Sequence, residues 1–142
     1  MLLVIVLVIV VAGLLYIRLA PTDISRWHAA AKPGPIGEKT LKGGYIWRAA
    51  AGDDGKAMLE QINAAALATP RTQMLTGSVE AGQITYVTRS KIFGFPDYTT
   101  VGIYEGPDGQ PVIEAYGRLR YGLSDLGVNA NRIKGWIGTL KP

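Results

Sequence analysis

The stretch Tyr98-Thr99-Thr100-Val101-Gly102-Ile103-Tyr104-Glu105, then Gly106-Pro107-Asp108-Gly109, then Pro111-Val112-Ile113-Glu114-Ala115-Tyr116-Gly117-Arg118-Leu119-Arg120-Tyr121 decides the fold. Two runs rich in β-branched and aromatic residues flank a Gly-Pro-Asp-Gly turn, the pattern of a β-hairpin. The second run alternates. Ile113, Ala115, Gly117 and Leu119 fall on one face, and Glu114, Tyr116, Arg118 and Arg120 on the other. Upstream, Gln73–Glu80 and Gln83–Ile92 read as two more strands around Ala81-Gly82. The fold class expected is α+β, with an antiparallel meander of about four to five strands and one face to cover.

Two helices are available to cover it. From Asp53 to Thr69, Met58, Leu59, Ile62, Ala65 and Ala66 recur at helical spacing, an aspartate caps the start, and Pro70 stops it. From Asn129 to Leu140, Ile133, Trp136, Ile137 and Leu140 form one stripe. Gly135 and Gly138 weaken this second helix, so it must depend on packing against the sheet.

The beginning of the chain is different in kind. Met1 to Ile17 contains no charged side chain and consists mostly of Leu, Val and Ile. As a helix it spans about 26 Å, slightly less than a hydrocarbon core of roughly 30 Å. Leu19 and Ala20 extend it if Arg18 snorkels, Tyr16 and Trp27 bracket the exit, and Pro21 ends it. A cleaved signal peptide should start with basic residues and end on small ones, whereas here Arg18 and Pro21 crowd the only candidate cut. The expected organisation is a transmembrane anchor over 1–20, a Pro/Gly-rich juxtamembrane spacer over 21–44 and a globular domain over 45–142. A spacer that packs along the domain as irregular chain is the alternative.

The side of the membrane is read two ways. Arg18, Arg26, Lys32, Lys39 and Lys42 all follow the apolar segment and none precedes it, which favours a cytoplasmic domain. The 15 Lys and Arg against 11 Asp and Glu are interspersed, so the surface is mildly cationic, and no nucleic-acid footprint is expected. The chain has no cysteine and one histidine, His28, which leaves no conventional zinc set and no thiol chemistry. No phosphate-binding glycine loop and no nucleophile elbow is present, and no catalytic residue, cofactor or metal is assigned. His28 reads as an interfacial or surface residue.

One segment, Arg118 to Arg132, is dense in polar and special residues. Asn129 can cap the last helix, and Arg132 sits in its first turn, where the helix dipole disfavours a cation. A structural reading pairs Asp125 with Arg120 or Arg132 to lock the corner. A functional reading makes Arg118, Arg120 and Arg132, with the helix N-terminus, a cradle for a phosphate or carboxylate. The loop Ile92-Phe93-Gly94-Phe95-Pro96-Asp97-Tyr98 holds both phenylalanines of the chain. They either plug the core or form an exposed contact for lipid or a partner.

At these two segments the sequence resembles the domain of unknown function 1499 family. The resemblance runs from roughly Trp47 to Leu140 and is carried by Phe93-Gly94-Phe95-Pro96-Asp97 and by Ser124-Asp125-Leu126-Gly127-Val128-Asn129 with Arg132. The family's usual Ser-x-Ser-Arg-x-Gly run is matched at Arg120 and Gly122, while Gly117 and Leu119 replace the serines. Tyr98 replaces the second acidic residue that often follows the aspartate matched by Asp97. The resemblance implies a small α+β domain and supplies no activity. Its members are often exported, which implies a periplasmic domain on the inner membrane.

The function expected is a membrane-anchored accessory or assembly protein without catalysis, whose partners are the bilayer and another membrane protein. Its candidate contact residues are Arg118, Arg120, Ser124, Asp125, Asn129, Arg132, Phe93, Phe95 and Asp97. One alternative is an anion- or lipid-headgroup-binding domain built on the arginine-rich corner. Another is a hydrolase or transferase using Asp125 and Asp97 with Ser124.

Overall fold

The computed structural model describes residues 1–141. The hairpin around Gly106-Pro107-Asp108-Gly109 is its centre. Strands β5 (Pro96–Glu105) and β6 (Pro111–Leu119) pair antiparallel, with Val101 opposite Ala115 and Asp97 opposite Leu119. Strands β4 (Gln83–Arg89) and β3 (Thr72–Ser78) continue the meander on the β5 side.

Two strands lie outside the four read from the sequence. These are β1 (Gly37–Leu41) and β2 (Gly44–Ala50). They form a hairpin whose second strand pairs with β6, giving a six-stranded antiparallel sheet in the order β1-β2-β6-β5-β4-β3. β1 is an edge strand with four of its five residues exposed, so it lacks the apolar alternation that announces a strand. It lies inside 21–44, the segment expected to be a spacer.

Helices α3 (Gly55–Leu67) and α4 (Val128–Ile137) cover one face of the sheet. α3 contributes Leu59, Ile62 and Ala66, and α4 contributes Ile133 and Trp136. They pack on Tyr45, Ile84, Tyr86, Val101, Ile113 and Ala115. The face that carries Ile113, Ala115 and Gly117 is therefore the core face. Trp136 meets Tyr86 edge-on at 5.5 Å and donates its indole N–H to Thr69 Oγ1 at 2.8 Å. Aromatic pairs of this kind favour edge-to-face geometry.

The opposite face is covered by the chain that follows α1 (Leu2–Leu19). α1 is long and apolar enough to cross a membrane, with a mean hydropathy of 2.9, and none of it is buried against the domain. After α1, the chain makes one short helical turn, α2 (Ile24–Trp27), and then runs across the sheet to β1 as a strap. Trp27 does not bracket a membrane exit. It is 8% exposed and stacks on Tyr98 with ring centroids 4.3 Å apart. His28 is not a free surface residue either: its Nδ1 lies 2.8 Å from Thr85 Oγ1.

Polar groups on this face bind the strap by its backbone. Arg118 and Thr100 donate to the carbonyl of Trp27, the latter at 3.1 Å. Arg48 Nη2 donates to Lys32 O at 2.6 Å, and Glu114 Oε1 accepts the N–H of Ala31 at 2.9 Å. Arg48 and Glu114 are themselves a buried ion pair at 2.7 Å. Buried polar groups need such partners, and here an irregular chain supplies them. Truncating Trp27 to alanine removes the stacked ring and loosens the strap. Thermal unfolding of the detergent-solubilised chain is expected to show a loss of about 3 kcal/mol. An unchanged midpoint would mean that the strap contributes nothing to the fold.

Candidate functional site

The residues nominated from the sequence divide into two groups on opposite faces of the sheet. Arg118 and Arg120 lie on the strap face. Arg118 is buried and donates to Thr100 Oγ1 at 2.9 Å, to Tyr116 O at 3.0 Å and to the Trp27 carbonyl. Its guanidinium also lies over the Tyr116 ring at 4.4 Å. Arg120 donates to Tyr98 Oη at 3.2 Å and to Pro21 O at 3.0 Å. Neither arginine reaches Arg132, so the three do not form a cradle. Alternation identified their shared face correctly, but the strap occupies it.

The second group lies at the end of the helix face, where β6 turns into α4. A shallow cleft of about 190 Å³ is lined there by Phe95, Asp97, Ser124, Asp125 and Arg132, with Ser90, Leu119, Tyr121 and Val128. It sets two carboxylates against one guanidinium, so it is not the basic pocket that anion binding would need. Arg132 pairs with Asp97 through Nη2 at 3.3 Å, rather than with Asp125. Asp125 is already occupied. Its Oδ1 accepts the N–H of Gly127 at 3.1 Å, and its Oδ2 accepts the N–H of Asn129 at 3.1 Å and Asn129 Nδ2 at 2.9 Å.

The capping task therefore falls to Asp125, with Gly127 at the cap position, and Asn129 is not the cap. Asn129 is fully buried one residue into α4 and links the corner together. Its amide donates to Asp125, and its Oδ1 accepts from Arg132 Nη1 at 2.9 Å. The bond to Asn129 and the salt bridge to Asp97 account for a cation in the first turn of α4.

Gly117 makes this arrangement possible. A Cβ there would stand 2.7 Å from Asn129 Oδ1 and 3.0 Å from Ile133 Cδ1. The position that usually carries a serine in the resembling family is here given over to close approach of α4. Leu119, at the other replaced serine, lines the cleft.

The two aspartates respond oppositely to this site. Burial pushes the Asp97 carboxyl up; the charge and hydrogen bond of Arg132 oppose it, and the charge of Asp125 adds to it, for a net rise. Burial also pushes Asp125 up, but the hydrogen bonds from the side chain and backbone of Asn129 and from Gly127 outweigh it and hold it below the usual range. Ser124 Oγ accepts the N–H of Leu126 at 3.4 Å, which makes it part of the turn.

Phe93 and Phe95 do not plug the core. They form a tilted pair 5.7 Å apart, with Phe93 49% and Phe95 36% exposed. Sequence reasoning also missed Arg18 as part of a folded contact. Its Nη2 donates to Ile92 O at 3.2 Å, which holds the phenylalanine loop against the end of α1. No cluster of three or more His, Cys, Asp or Glu that could hold a metal exists among the described residues.

Together these features define a small α+β domain behind an apolar helix, with its sheet clamped between two helices and a strap. Residues 40–140 match the family described as a protein of unknown function, DUF1499, and the chain belongs to it. No curated protein matches the chain. The match starts within β1, so the strap lies outside it.

Two outcomes are expected. Gly117→Ala forces α4 away from β6 and lowers stability by about 1–3 kcal/mol in denaturant unfolding, with the corner hydrogen bonds lost. Asp125→Asn removes a carboxyl whose folded pKa lies below its unfolded value of about 3.9, so its contribution is present at neutral pH and lost as pH falls through the folded value. The gap in melting temperature between the wild type and Asp125→Asn should be largest near pH 7 and shrink below about pH 4.

Proposed function

We propose that this chain is a membrane-anchored accessory protein of a bacterial inner membrane, which binds another membrane protein through its domain and performs no catalysis itself. The observation that carries this reading is the seating of the strap on the sheet. A domain on a flexible tether samples many heights and orientations above a bilayer. Here Pro21, Trp27 and Lys32 each give a backbone carbonyl to an arginine in the sheet or directly after β6. With α1 in the membrane, the domain presents one defined surface at one height.

The turn from β6 to α4 offers the contact. Leu123 is 80% and Leu126 90% exposed, and Val128 stands beside them half-exposed. Leu126 adopts φ 52, a left-handed conformation that costs a non-glycine residue roughly 1–2 kcal/mol. A strained and solvated leucine is poorly explained by stability and well explained by binding. We infer the periplasmic side from the export that the family resemblance implies. The cations after α1 are the argument for the cytoplasmic side.

A second reading, a hydrolase or transferase using Asp97 and Asp125, draws on their shared cleft and on the raised carboxyl of Asp97. The three hydrogen bonds that Asp125 accepts as a helix cap favour the accessory reading.

The test is co-purification from gently solubilised membranes. The wild type should carry a stoichiometric membrane-protein partner. The pair Leu123→Ser and Leu126→Gly should lose it while unfolding no earlier than the wild type, because glycine relieves the left-handed strain by up to about 1 kcal/mol. Recovery of free monomer alone from wild-type membranes would reject the reading.

A further inference from the structure

A second cleft, of about 290 Å³, opens where α1 meets the domain. It is lined by Arg18, Arg71, Arg89 and Lys91, with Gln73, Val87, Ser90 and Gly94. Four cations converge on it and no carboxylate lines it. Among the described residues the ion pairs are Arg48–Glu114 and Arg132–Asp97, so none of these four is in one.

The guanidiniums are positioned without being neutralised. Arg18 Nη2 donates to Ile92 O, Arg71 Nε to Arg89 O at 3.1 Å, and Arg89 Nη1 to Gly94 O at 3.0 Å. Each bond uses one N–H of a five-donor fork and fixes the plane of the group. Carbonyls supply partial charge only, so the cleft keeps a positive potential. Arg71 itself is held at φ 57, one of two non-glycine residues with a left-handed backbone among the described residues. Gly94 is shaped to the same end. At φ +72 it is buried against Arg18, and a Cβ there would lie 2.9 Å from Arg18 Nε.

The location narrows the ligand. Arg18 lies in the last turn of α1 and is the first charged side chain of the chain. A helix that spans a bilayer places such a residue at the headgroup layer on whichever side the domain lies. Ile92 and Phe93, beside the cleft, are 76% and 49% exposed, as suits side chains that dip below the phosphate plane. We propose that the Arg18–Arg71–Arg89–Lys91 cleft binds the phosphate of an anionic phospholipid headgroup. The proposal rests on α1 being membrane-embedded, as argued above.

The test uses the full chain in phosphatidylcholine nanodiscs, titrated with dihexanoyl phosphatidylglycerol and, separately, with inorganic phosphate. The wild type should bind the lipid saturably and more tightly than inorganic phosphate. Arg71→Gln with Lys91→Gln, both exposed, should weaken it roughly 30-fold, with the melting temperature in phosphatidylcholine kept. Lys39→Gln with Lys42→Gln makes the same charge change near the β1–β2 turn and should leave the affinity unaltered. Equal loss in that control means diffuse attraction and overturns the site. Binding of inorganic phosphate as tight as that of lipid assigns the cleft to a soluble anion and overturns it too. Embedding is scored apart, by resistance of vesicle-bound chain to alkaline carbonate. A chain that washes off overturns the anchor and the headgroup site together, whereas one that stays but shows no lipid binding overturns the site alone.

Discussion

The carbonyl oxygen of Trp27 receives hydrogen bonds from Arg118 and Thr100, and most of the architecture depends on that seat. Arg118 is a buried cation with no carboxylate in direct contact. Stranding such a charge costs several kcal/mol, so the sheet requires something over it. An irregular strap suits the task because its backbone carbonyls are not consumed by secondary structure. Trp27 adds a large apolar ring over Tyr98, which keeps water away from the bonds beneath. The strap in turn settles where α1 leaves the domain, and so where Arg18 meets the loop around Gly94.

The sheet thus has two buried faces of opposite character. The helix face is apolar and closed by α3 and α4, as the periodicity of those segments requires. The strap face is polar, and its threonines, arginines and single glutamate are satisfied by one another and by the strap. Hydrophobic burial anchors one side, and hydrogen-bond satisfaction specifies the other.

That contrast explains what the sequence disclosed. The β5–β6 hairpin, the β3–β4 pair and both covering helices were legible, because each has an apolar period. β1 was not, because an exposed edge strand of Gly, Glu, Lys and Thr has none. The strap was legible only as the alternative to a free spacer, because Pro and Gly near Lys32 suit either, and nothing local records a carbonyl bonded to an arginine far along the chain. Alternation placed Arg118 and Arg120 on one face but could not say what covers it, which is why they resembled an anion site. Asp125 and Arg132 were rightly linked to the corner, yet their partners were exchanged. Two side chains separated by a turn compete for several donors, and only geometry decides among them. The basic cleft was invisible for a simpler reason. Its cations are drawn from α1, from the turn between α3 and β3, from β4 and from the loop after β4, so no sequence window contains it.

The strap also orders events in time. Its residues are made before the seats they take on Thr85, Thr100, Glu114, Arg118 and Arg120, which lie in β4, β5 and β6 and directly after β6. Those contacts span 57 to 99 residues of sequence. Closing such long loops is slow, and the strap is not fully seated until β6 is available. The polar side of the nascent domain is therefore completely covered only after the strands that seat the strap have been made. Formation of α1, whose hydrogen bonds are local, is thus separable from completion of the domain.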